Sequence, residues 1–125
     1  MIVGLGTDIC EVPRIAESIA RFGDRFLQRV FTPPEIAYCQ SKKNAIERFA
    51  ARFAAKEATT KALGTGINRG VTWKSIEVAH APGGRPVLRL SGAAEKIAKR
   101  IGVRRISLSL THTESIAMAI VIFED

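Results

Sequence analysis

The sequence predicts an α+β fold in which helices pack on a mainly antiparallel sheet. Helical patterns fill most of the first half of the 125-residue chain, and strand patterns fill most of the second half. Such a division is typical of α+β proteins. A hairpin signal at 81–85, Ala-Pro-Gly-Gly-Arg, joins two short strand patterns. The run 116–122 is apolar throughout, which predicts a strand covered on both faces.

The first elements follow from the positions of glycine and proline. Apolar residues alternate with glycine over 1–7, which predicts a strand. Pro13 suits the first position of a helix, and we expect this helix to end near Phe22. Gly23 then breaks or bends the chain before a second helical turn over 24–30.

The next two helices carry their own start and stop signals. Thr32 is followed by Pro33 and, three residues on, by Glu35, which is the pattern of a capping box. A long central helix is predicted from about Asn44 to Leu63. Gly64 directly after it supplies a C-terminal stop.

The second half of the chain is predicted to contain four strands and one helix. The helix begins at the cap residue Ser91, runs through Arg100 and is ended by Gly102. The segment 111–114, Thr-His-Thr-Glu, connects the last two strands. The four strands are predicted over 75–80, 86–90, 105–110 and 116–123.

The composition is that of an ordinary globular domain, with 46% hydrophobic and 25% charged residues. We find no internal repeat or linker and expect a single domain over 1–125. The two cysteines are too few for a disulfide framework. No apolar run approaches the ~20 residues of a membrane helix, and signal-peptide features are missing. These features predict a cytoplasmic protein with reduced thiols and no membrane partner.

The unusual quantity is a net charge of +7, from 19 basic and 12 acidic side chains. Such a surface attracts polyanions. Nucleic acid is the commonest partner of a small basic domain. An acidic protein, a membrane surface or a multiply phosphorylated cofactor would serve equally well, so charge alone does not choose the partner.

Two acidic residues stand in apolar surroundings. Asp8 follows the strand pattern 1–7, and Glu57 lies in the helical stretch 53–61 with Lys61 on the same helix face. Carboxylates from separate elements beside a lysine indicate a metal ion and a phosphate, because Mg²⁺ often binds one or two carboxylates plus substrate phosphates. Taken singly, the local alternatives are a Glu57–Lys61 ion pair and a cap or turn role for Asp8.

Three motifs in chain order resemble those of the 4'-phosphopantetheinyl transferases. They are Gly6-Thr7-Asp8-Ile9, Phe31-Thr32-x-x-Glu35 and Phe53-x-x-Lys56-Glu57-Ala58-x-x-Lys61. The short chain and the first-strand position of Asp8 resemble the holo-acyl-carrier-protein synthase branch. Ala54 departs from the family, which often has a small hydroxyl or thiol residue there, but a small side chain is kept.

The resemblance implies the 4'-phosphopantetheinyl transferase fold and a magnesium-dependent enzyme of fatty acid biosynthesis. It would transfer 4'-phosphopantetheine from coenzyme A to a serine of apo acyl carrier protein and release adenosine 3',5'-bisphosphate. Asp8 and Glu57 would hold Mg²⁺. The serine needs a base, and Glu57, a water on the metal, or Glu35 from a neighbouring subunit remain open choices. A homotrimer with active sites at subunit interfaces is also implied.

Further residues match family positions around coenzyme A. Lys61 would contact the pyrophosphate or help the proton transfer. Arg52, one turn before Lys56, would bind the 3'-phosphate. The alternative is that Arg48, Arg52 and Lys56 form a solvated basic stripe on the helix. His112 would contact a phosphate or nucleotide, or be an ordinary turn residue. Lys56 itself has no predicted role. The resemblance also implies that the loop of Gly64, Thr65 and Gly66 borders coenzyme A. Taken locally, this loop indicates only a helix C-cap.

The first helix offers an argument that is independent of the motifs. At about 100° per residue, Arg21 and Arg25 fall within about 20° of Arg14. An arginine ridge beside an apolar stripe suits docking against an acidic amphipathic helix, and acyl carrier proteins are strongly acidic. The alternative is an amphipathic helix with a solvated basic face. The apolar stripe consists of Ile15, Ile19, Phe22 and Phe26.

Two other functions compete with a transferase. A nucleic-acid-binding domain would explain the charge and the arginines, but not Asp8 and Glu57 within apolar stretches. Aromatic residues are also only 6% of the chain, which offers little base-stacking surface. A homologue that binds coenzyme A without transferring anything is the other competitor. We therefore expect no nucleic-acid partner.

Overall fold

Five helices and five strands are formed, and every strand pair is antiparallel. The structure, a computed structural model, describes residues 1–125. The predicted α+β fold is confirmed. The elements in chain order are β1 (Ile2–Glu11), α1 (Val12–Phe22), α2 (Asp24–Val30), α3 (Pro33–Gln40), α4 (Ala45–Leu63), a short 3-10 helix (Trp73–Ser75), β2 (Ile76–His80), β3 (Pro86–Leu90), α5 (Gly92–Arg100), β4 (Arg105–His112) and β5 (Ile116–Glu124).

The strands form two sheets on which the long helix α4 packs. One sheet has the order β1-β5-β4, and the other is the hairpin β2-β3. Helix α4 lies against β1 and β5, where the inward side chains of β5 are buried. The outward side chains Ile116, Met118 and Ile120 stay exposed. Covering of this strand on both faces was predicted, and within one chain that prediction is wrong.

Two glycines of β1 allow the strand to touch the backbone of α4. A Cβ atom placed on Gly6 would lie 1.8 Å from the carbonyl oxygen of Ala58, and one on Gly4 would lie 2.5 Å from that of Ala62. Real Cβ atoms do not approach so closely, so only glycine permits this packing. The close contact brings Asp8, two residues after Gly6, to the turn of α4 that carries Glu57.

The ends of the elements follow the predicted signals with three differences. Strand β1 continues through Asp8 to Glu11, so Asp8 lies inside a strand and not in a turn. Strand β4 continues to His112, which therefore ends a strand instead of lying in the connection. Ser91 occupies the N-cap position of α5 as predicted, but its side chain forms no cap bond.

Three start and stop signals act as expected. The Thr32–Glu35 capping box is formed in both directions. Gly23 ends α1 at φ 57°, and Gly64 ends α4 at φ 79°, both values that favour glycine. None of the five helices is both long and apolar enough to cross a membrane.

Candidate active site

Asp8 and Glu57 line one pocket, although they come from different elements. The pocket has a volume of about 280 Å³ and lies where β1, α1 and α4 meet. Arg14 of α1 lines it as well, so a residue that was predicted only for partner binding is brought to the two acids. The remaining lining residues are Ile9, Cys10, Ile15, Ser18, Phe26 and Phe53.

The two carboxylates make the pocket electrostatically unfavourable for further negative charge. The pKa of Glu57 is raised, first by burial and then by the negative charge of Asp8, while Lys61 lowers it. The ammonium of Lys61 donates to Asp8 Oδ1 and to the carbonyl oxygen of Thr7, both at 3.0 Å. Lys61 therefore pairs with Asp8 across elements, and the local alternative of a Glu57–Lys61 ion pair is not formed.

The donor set of this pocket fits a magnesium ion. No group of three or more His, Cys, Asp or Glu residues lies close enough to hold a metal ion by protein ligands alone. Mg²⁺ does not need such a group, because it keeps several waters and takes phosphate oxygens of the substrate besides one or two carboxylates. Two adjacent carboxylates, one of them with a raised pKa, leave negative charge that a divalent cation would offset.

Without metal, the charge on Glu57 should destabilise the fold. Its pKa is higher in the folded than in the unfolded chain, so the folded state holds the proton more tightly. Stability therefore falls as pH rises from about 4.5 through the folded-state pKa. We expect Glu57→Gln to raise Tm by roughly a few degrees at pH 7 in EDTA, measured by calorimetry.

An exposed glutamate serves as the control for that measurement. Glu95→Gln on α5 removes the same charge from outside the pocket and should leave Tm nearly unchanged. The advantage of Glu57→Gln should also shrink as pH falls below about 4.5, where Glu57 becomes protonated in both states. A lower Tm for Glu57→Gln at pH 7 would contradict the electrostatic description of the pocket.

Neither cysteine supplies a reactive thiolate. The pKa of Cys10, which lines the pocket, is raised to about 11 by burial and then by the charge of Asp8. The pKa of Cys39 is also raised to about 11, again chiefly by burial. Both thiols are protonated at neutral pH, so the pocket has no cysteine nucleophile.

Glu35 does not line the pocket, and its surroundings argue against the predicted role as a base from a neighbouring subunit. It is 1% exposed, and both of its carboxylate oxygens are occupied. Oε1 accepts from the backbone N–H of Thr32 and from the ammonium of Lys56, and Oε2 accepts from the N–H of Val78. A carboxylate that is closed to solvent and bonded at both oxygens is poorly placed to receive a proton from a partner's serine. Lys56 is equally buried and is not part of a solvated stripe.

Arg52 lies in a second, strongly basic cluster. Its guanidinium group packs over the ring of Tyr38 at 4.5 Å and lies 3.3 Å from Nε2 of His80. Arg48 donates to the hydroxyl of Tyr38 at 3.3 Å, and Lys42 lies 5.2 Å from the same ring. We call Tyr38, Lys42, Arg48, Arg52 and His80 the Arg52 cluster.

The Arg52 cluster has positive charge without a carboxylate partner. Arg52 is 3% exposed, and its Nε atom has no hydrogen-bond acceptor. Neither Lys42, Arg48 nor Arg52 forms an ion pair. The pKa of His80 is lowered by burial and then by the charges of Arg52, Lys42 and Arg48. A buried donor without an acceptor, among unpaired cations, is suited to an anion.

One chain holds the two clusters on different sides of α4. Arg52 and Glu57 are five residues apart, which corresponds to about 140° around the helix. Arg52 does not line the pocket of Asp8 and Glu57. The sequence had indicated Arg52 through its motif, but Tyr38 and His80 come from α3 and β2 and follow no spacing rule.

The remaining predicted coenzyme contacts are bonded to other groups of the same chain. The N–H groups of Gly64 and Thr65 both donate to the carbonyl oxygen of Thr60, and the Thr65 hydroxyl donates to the carbonyl of Gly66. These two amides therefore close the helix and are not free for a phosphate. His112 Nδ1 lies 2.9 Å from Oε1 of Glu47, which ties the end of β4 to the first turn of α4.

The predicted arginine ridge is divided by the break at Gly23. Arg14 lines the pocket of the two acids, whereas Arg21 lies over the ring of Phe22, with its guanidinium carbon 5.3 Å from the ring centre. Arg25 and Arg29 line a separate groove of about 260 Å³ with Phe22 and Phe26. All these arginines are exposed, so basic and apolar groups lie side by side as predicted.

Comparison with known proteins decides the family. The model of the 4'-phosphopantetheinyl transferase superfamily matches residues 4–121. The chain belongs to the 4'-phosphopantetheinyl transferase superfamily. Within it, a holo-acyl-carrier-protein synthase of Koribacter versatilis is 62% identical to this chain over 125 residues, which is the full length of both. The predicted family and enzyme class are confirmed.

Solved structures of synthases from this superfamily share the fold. The holo-acyl-carrier-protein synthase of Neisseria meningitidis aligns with a TM-score of 0.91 at 37% identity and covers all of both chains. The Helicobacter pylori synthase in complex with coenzyme A aligns with a TM-score of 0.82 at 31% identity, covering 96% of this chain and 99% of that one. Membership of this superfamily favours a transferase over a nucleic-acid-binding domain.

Proposed function

We propose that this protein transfers 4'-phosphopantetheine from coenzyme A to a serine of apo acyl carrier protein in a magnesium-dependent reaction. The observation that carries the proposal is the meeting of Asp8 and Glu57 at one pocket, with Lys61 bonded to Asp8, in a chain of this superfamily. Relatives that match the whole chain support the choice of carrier protein as acceptor. A related synthase solved with coenzyme A supports the donor.

The reaction requires charge stabilisation and a proton acceptor. The serine oxygen forms a bond to the phosphorus that carries pantetheine, and the bond from that phosphorus to the bridging oxygen breaks. Adenosine 3',5'-bisphosphate leaves with the bridging oxygen and its electron pair. Bound Mg²⁺ would supply Lewis-acid stabilisation of the pyrophosphate, and Asp8 and Glu57 are the residues that would hold it.

Lys61 and Glu57 are the candidates for contacting the transferred phosphate and for accepting the serine proton. The Lys61 ammonium is exposed and reaches Asp8, so it can contact the phosphate in transfer as a mobile point charge. Glu57 lines the pocket with its carboxylate, so it is the chain's candidate to accept the serine proton there. Of the two predicted carboxylate bases, Glu57 is retained because Glu35 is buried.

The Arg52 cluster is proposed to bind the 3'-phosphate of coenzyme A. Support comes from the buried Nε of Arg52, which has no acceptor, and from the unpaired charges around it. An incoming phosphate would raise the pKa of His80 and gain a further cationic donor. Gly64, Thr65, Gly66 and His112 are kept in the proposed coenzyme site as a bordering loop and a strand end, without a role for the occupied amides of Gly64 and Thr65.

A homotrimer is proposed, with the coenzyme site shared between neighbouring subunits. The outer face of the β1-β5-β4 sheet exposes a continuous set of large apolar side chains, which in a monomer would be unfavourable. A shared site would also explain how the Arg52 cluster and the Asp8–Glu57 pocket, on different sides of α4, serve one ligand. The exposed residues are Leu5, Ile9, Ile116, Met118 and Ile120.

Charge placed on this face should dissociate the oligomer. We expect sedimentation equilibrium to give about three times the 13.6 kDa chain mass for the wild type. Ile120→Asp should give the mass of a single chain, because a carboxylate cannot be buried in an apolar interface. Ile101→Asp is the matched control, since both isoleucines are 37% exposed and Ile101 lies outside the sheet. A wild-type mass of 13.6 kDa would contradict the proposal.

An acidic carrier protein is proposed to dock on α1 and α2. Exposed arginines lie beside the apolar groove of Phe22 and Phe26, which suits an acidic amphipathic helix. We expect the double variant Arg21→Glu/Arg25→Glu to raise KM for carrier protein by at least about tenfold, while KM for coenzyme A stays within about twofold. Arg14 is left unchanged in this test because it lines the pocket of the two acids.

The matched control reverses two charges elsewhere. Lys96→Glu/Arg100→Glu on α5 makes the same change in net charge and should leave both constants near wild type. Equal effects of the two double variants would show that only the overall charge matters, which would contradict docking at α1 and α2.

Release of the nucleotide product tests the proposed reaction. Chromatography should detect adenosine 3',5'-bisphosphate in proportion to the apo acyl carrier protein supplied, and none with a carrier protein whose acceptor serine is replaced by alanine. Binding of coenzyme A without product would favour the non-transferring homologue. The location in the cytoplasm and the place in fatty acid biosynthesis stay predictions, as does the single domain over 1–125.

A further inference from the structure

A buried ion pair, formed by the residue that precedes Glu57 on α4, joins four elements of the fold. Lys56 and Glu35 both have fully buried side chains, and their charged groups are 2.8 Å apart. The ammonium of Lys56 donates to Glu35 Oε1, to the carbonyl oxygen of Trp73 at 3.0 Å and to that of Ile76. All three N–H groups of the ammonium are used.

Glu35 fixes the other side of the same network. Its Oε1 accepts from the N–H of Thr32 and its Oε2 accepts from the N–H of Val78, each at 2.9 Å. The pair therefore connects α4 to the start of α3, to the 3-10 helix and to β2. Neither group lines the pocket of Asp8 and Glu57, so neither touches the reacting atoms.

The position of Lys56 determines where its neighbours on α4 point. Glu57 follows it by one residue, about 100° around the helix, and Arg52 precedes it by one turn, about 40° in the opposite sense. A helix that is anchored through Lys56 cannot rotate without moving both residues. Glu57 is thereby held toward Asp8, and Arg52 is held toward His80 of β2, the strand to which Lys56 itself is anchored.

We propose that Lys56 and Glu35 are positioning residues, which fix the rotation of α4 so that Glu57 completes the metal pocket with Asp8. The inference rests on the proposed function for the identity of that pocket. A contribution to folding alone is the competing explanation. The two differ in a testable way, because residues that contribute only to folding lower the free energy of unfolding but leave the metal affinity and kcat of the folded protein unchanged, whereas residues that orient a metal ligand change both.

The test compares Lys56→Met/Glu35→Leu with the wild type. Binding of Mn²⁺, an EPR-active substitute for Mg²⁺, is measured in the presence of coenzyme A, together with kcat and KM. We expect the double variant to bind Mn²⁺ about 10- to 100-fold more weakly and to lose kcat by a similar factor, as for residues that orient metal ligands. KM for coenzyme A should change by less than about threefold. The folded state is checked by urea unfolding.

The control carries the same residue changes at an exposed ion pair. Lys99→Met/Glu95→Leu on α5 removes a surface pair and should leave Mn²⁺ binding and kcat unchanged. A folded Lys56→Met/Glu35→Leu variant with wild-type Mn²⁺ affinity and kcat would overturn the proposal.

A milder variant decides the matter if the double variant does not fold. Glu35→Gln keeps the size of the side chain but turns an NH₂ group toward Lys56 or toward the N–H of Val78, so the anchor is loosened and not lost. We expect weaker Mn²⁺ binding and lower kcat, whereas reduced stability with both values unchanged would overturn the proposal. If the wild type transfers no phosphopantetheine, the proposed function fails, while the Mn²⁺ comparison still tests the positioning role.

Discussion

Replacing Asp8 or Glu57 by alanine is expected to reduce phosphopantetheine transfer by about three orders of magnitude, the upper end of what loss of one charge-stabilising group costs an enzyme. The two carboxylates share one pocket with Arg14, but only Asp8 forms an ion pair, with Lys61, and Glu57 forms none. Each variant would therefore lose most of the affinity for the metal on which the proposed reaction depends. The rate is measured under saturating coenzyme A and carrier protein.

The fold should survive both substitutions. Glu57→Ala removes a carboxylate with a raised pKa, so metal-free stability should not fall through loss of its charge. Asp8→Ala loses an ion pair whose lysine is mostly exposed, a pair of small expected value. Glu95→Ala, which removes an exposed acid of α5 outside the pocket and the docking surface, is the control and should retain full activity. Near wild-type rates for Asp8→Ala and Glu57→Ala, with circular dichroism unchanged, would remove the metal assignment.

Lys61→Ala is expected to lower kcat by about a hundredfold while KM for coenzyme A rises by less than about threefold. The Lys61 ammonium donates to Asp8, and its side chain is mostly exposed, so it can reach a phosphate held at the pocket. An interaction that strengthens in the transition state lowers kcat when it is removed, whereas a uniform binding interaction raises KM. Steady-state kinetics in coenzyme A, at saturating carrier protein, separates the two.

Two further variants sharpen the result for Lys61. Lys96→Ala removes one exposed positive charge from α5, outside the pocket, and should leave kcat and KM for coenzyme A unchanged. Lys61→Arg keeps the charge but replaces a compact ammonium by a planar fork, so it should recover only part of kcat. A raised KM with unchanged kcat in Lys61→Ala would make Lys61 a binding residue only.

The sequence predicted the site best where local rules and motifs coincide. The helix that carries Glu57 and Lys61 follows from a long helical pattern with a glycine stop. The position of Asp8 beside it depends on Gly4 and Gly6, whose lack of side chains lets β1 touch the backbone of α4. The strand pattern showed the glycines, but their packing partner is a tertiary contact that no local rule provides.

The same limit explains what the sequence did not show about Glu35 and Lys56. Glu35 fits a capping box, and that box is formed, but the sequence did not show that the carboxylate also receives a buried lysine and a strand amide. Lys56 lies in a basic helical repeat that resembles a solvated face, yet it is buried because α3, the 3-10 helix and β2 converge on it. Burial of a charge depends on partners distant in the chain, and spacing along one helix does not report them.

The sequence predicted only part of the Arg52 cluster, for a related reason. Arg52 stood out through its place one turn before the motif, whereas Tyr38 and His80 come from elements with no shared periodicity. The absence of a carboxylate around Arg52 is a property of the packed structure, and it is this property that indicates an anion. The sequence alone does not show whether a buried arginine has a carboxylate partner, because that partner can come from any other element.

Intact-mass spectrometry of the acceptor tests the central claim most directly. Apo acyl carrier protein is incubated with this protein, coenzyme A and Mg²⁺, and a parallel sample contains EDTA. We predict that the carrier protein gains the mass of one phosphopantetheine arm with Mg²⁺ and gains nothing in EDTA. No gain with several carrier proteins, from a sample shown to be folded, would contradict the proposed transfer, and an equal gain in EDTA would contradict its dependence on a metal.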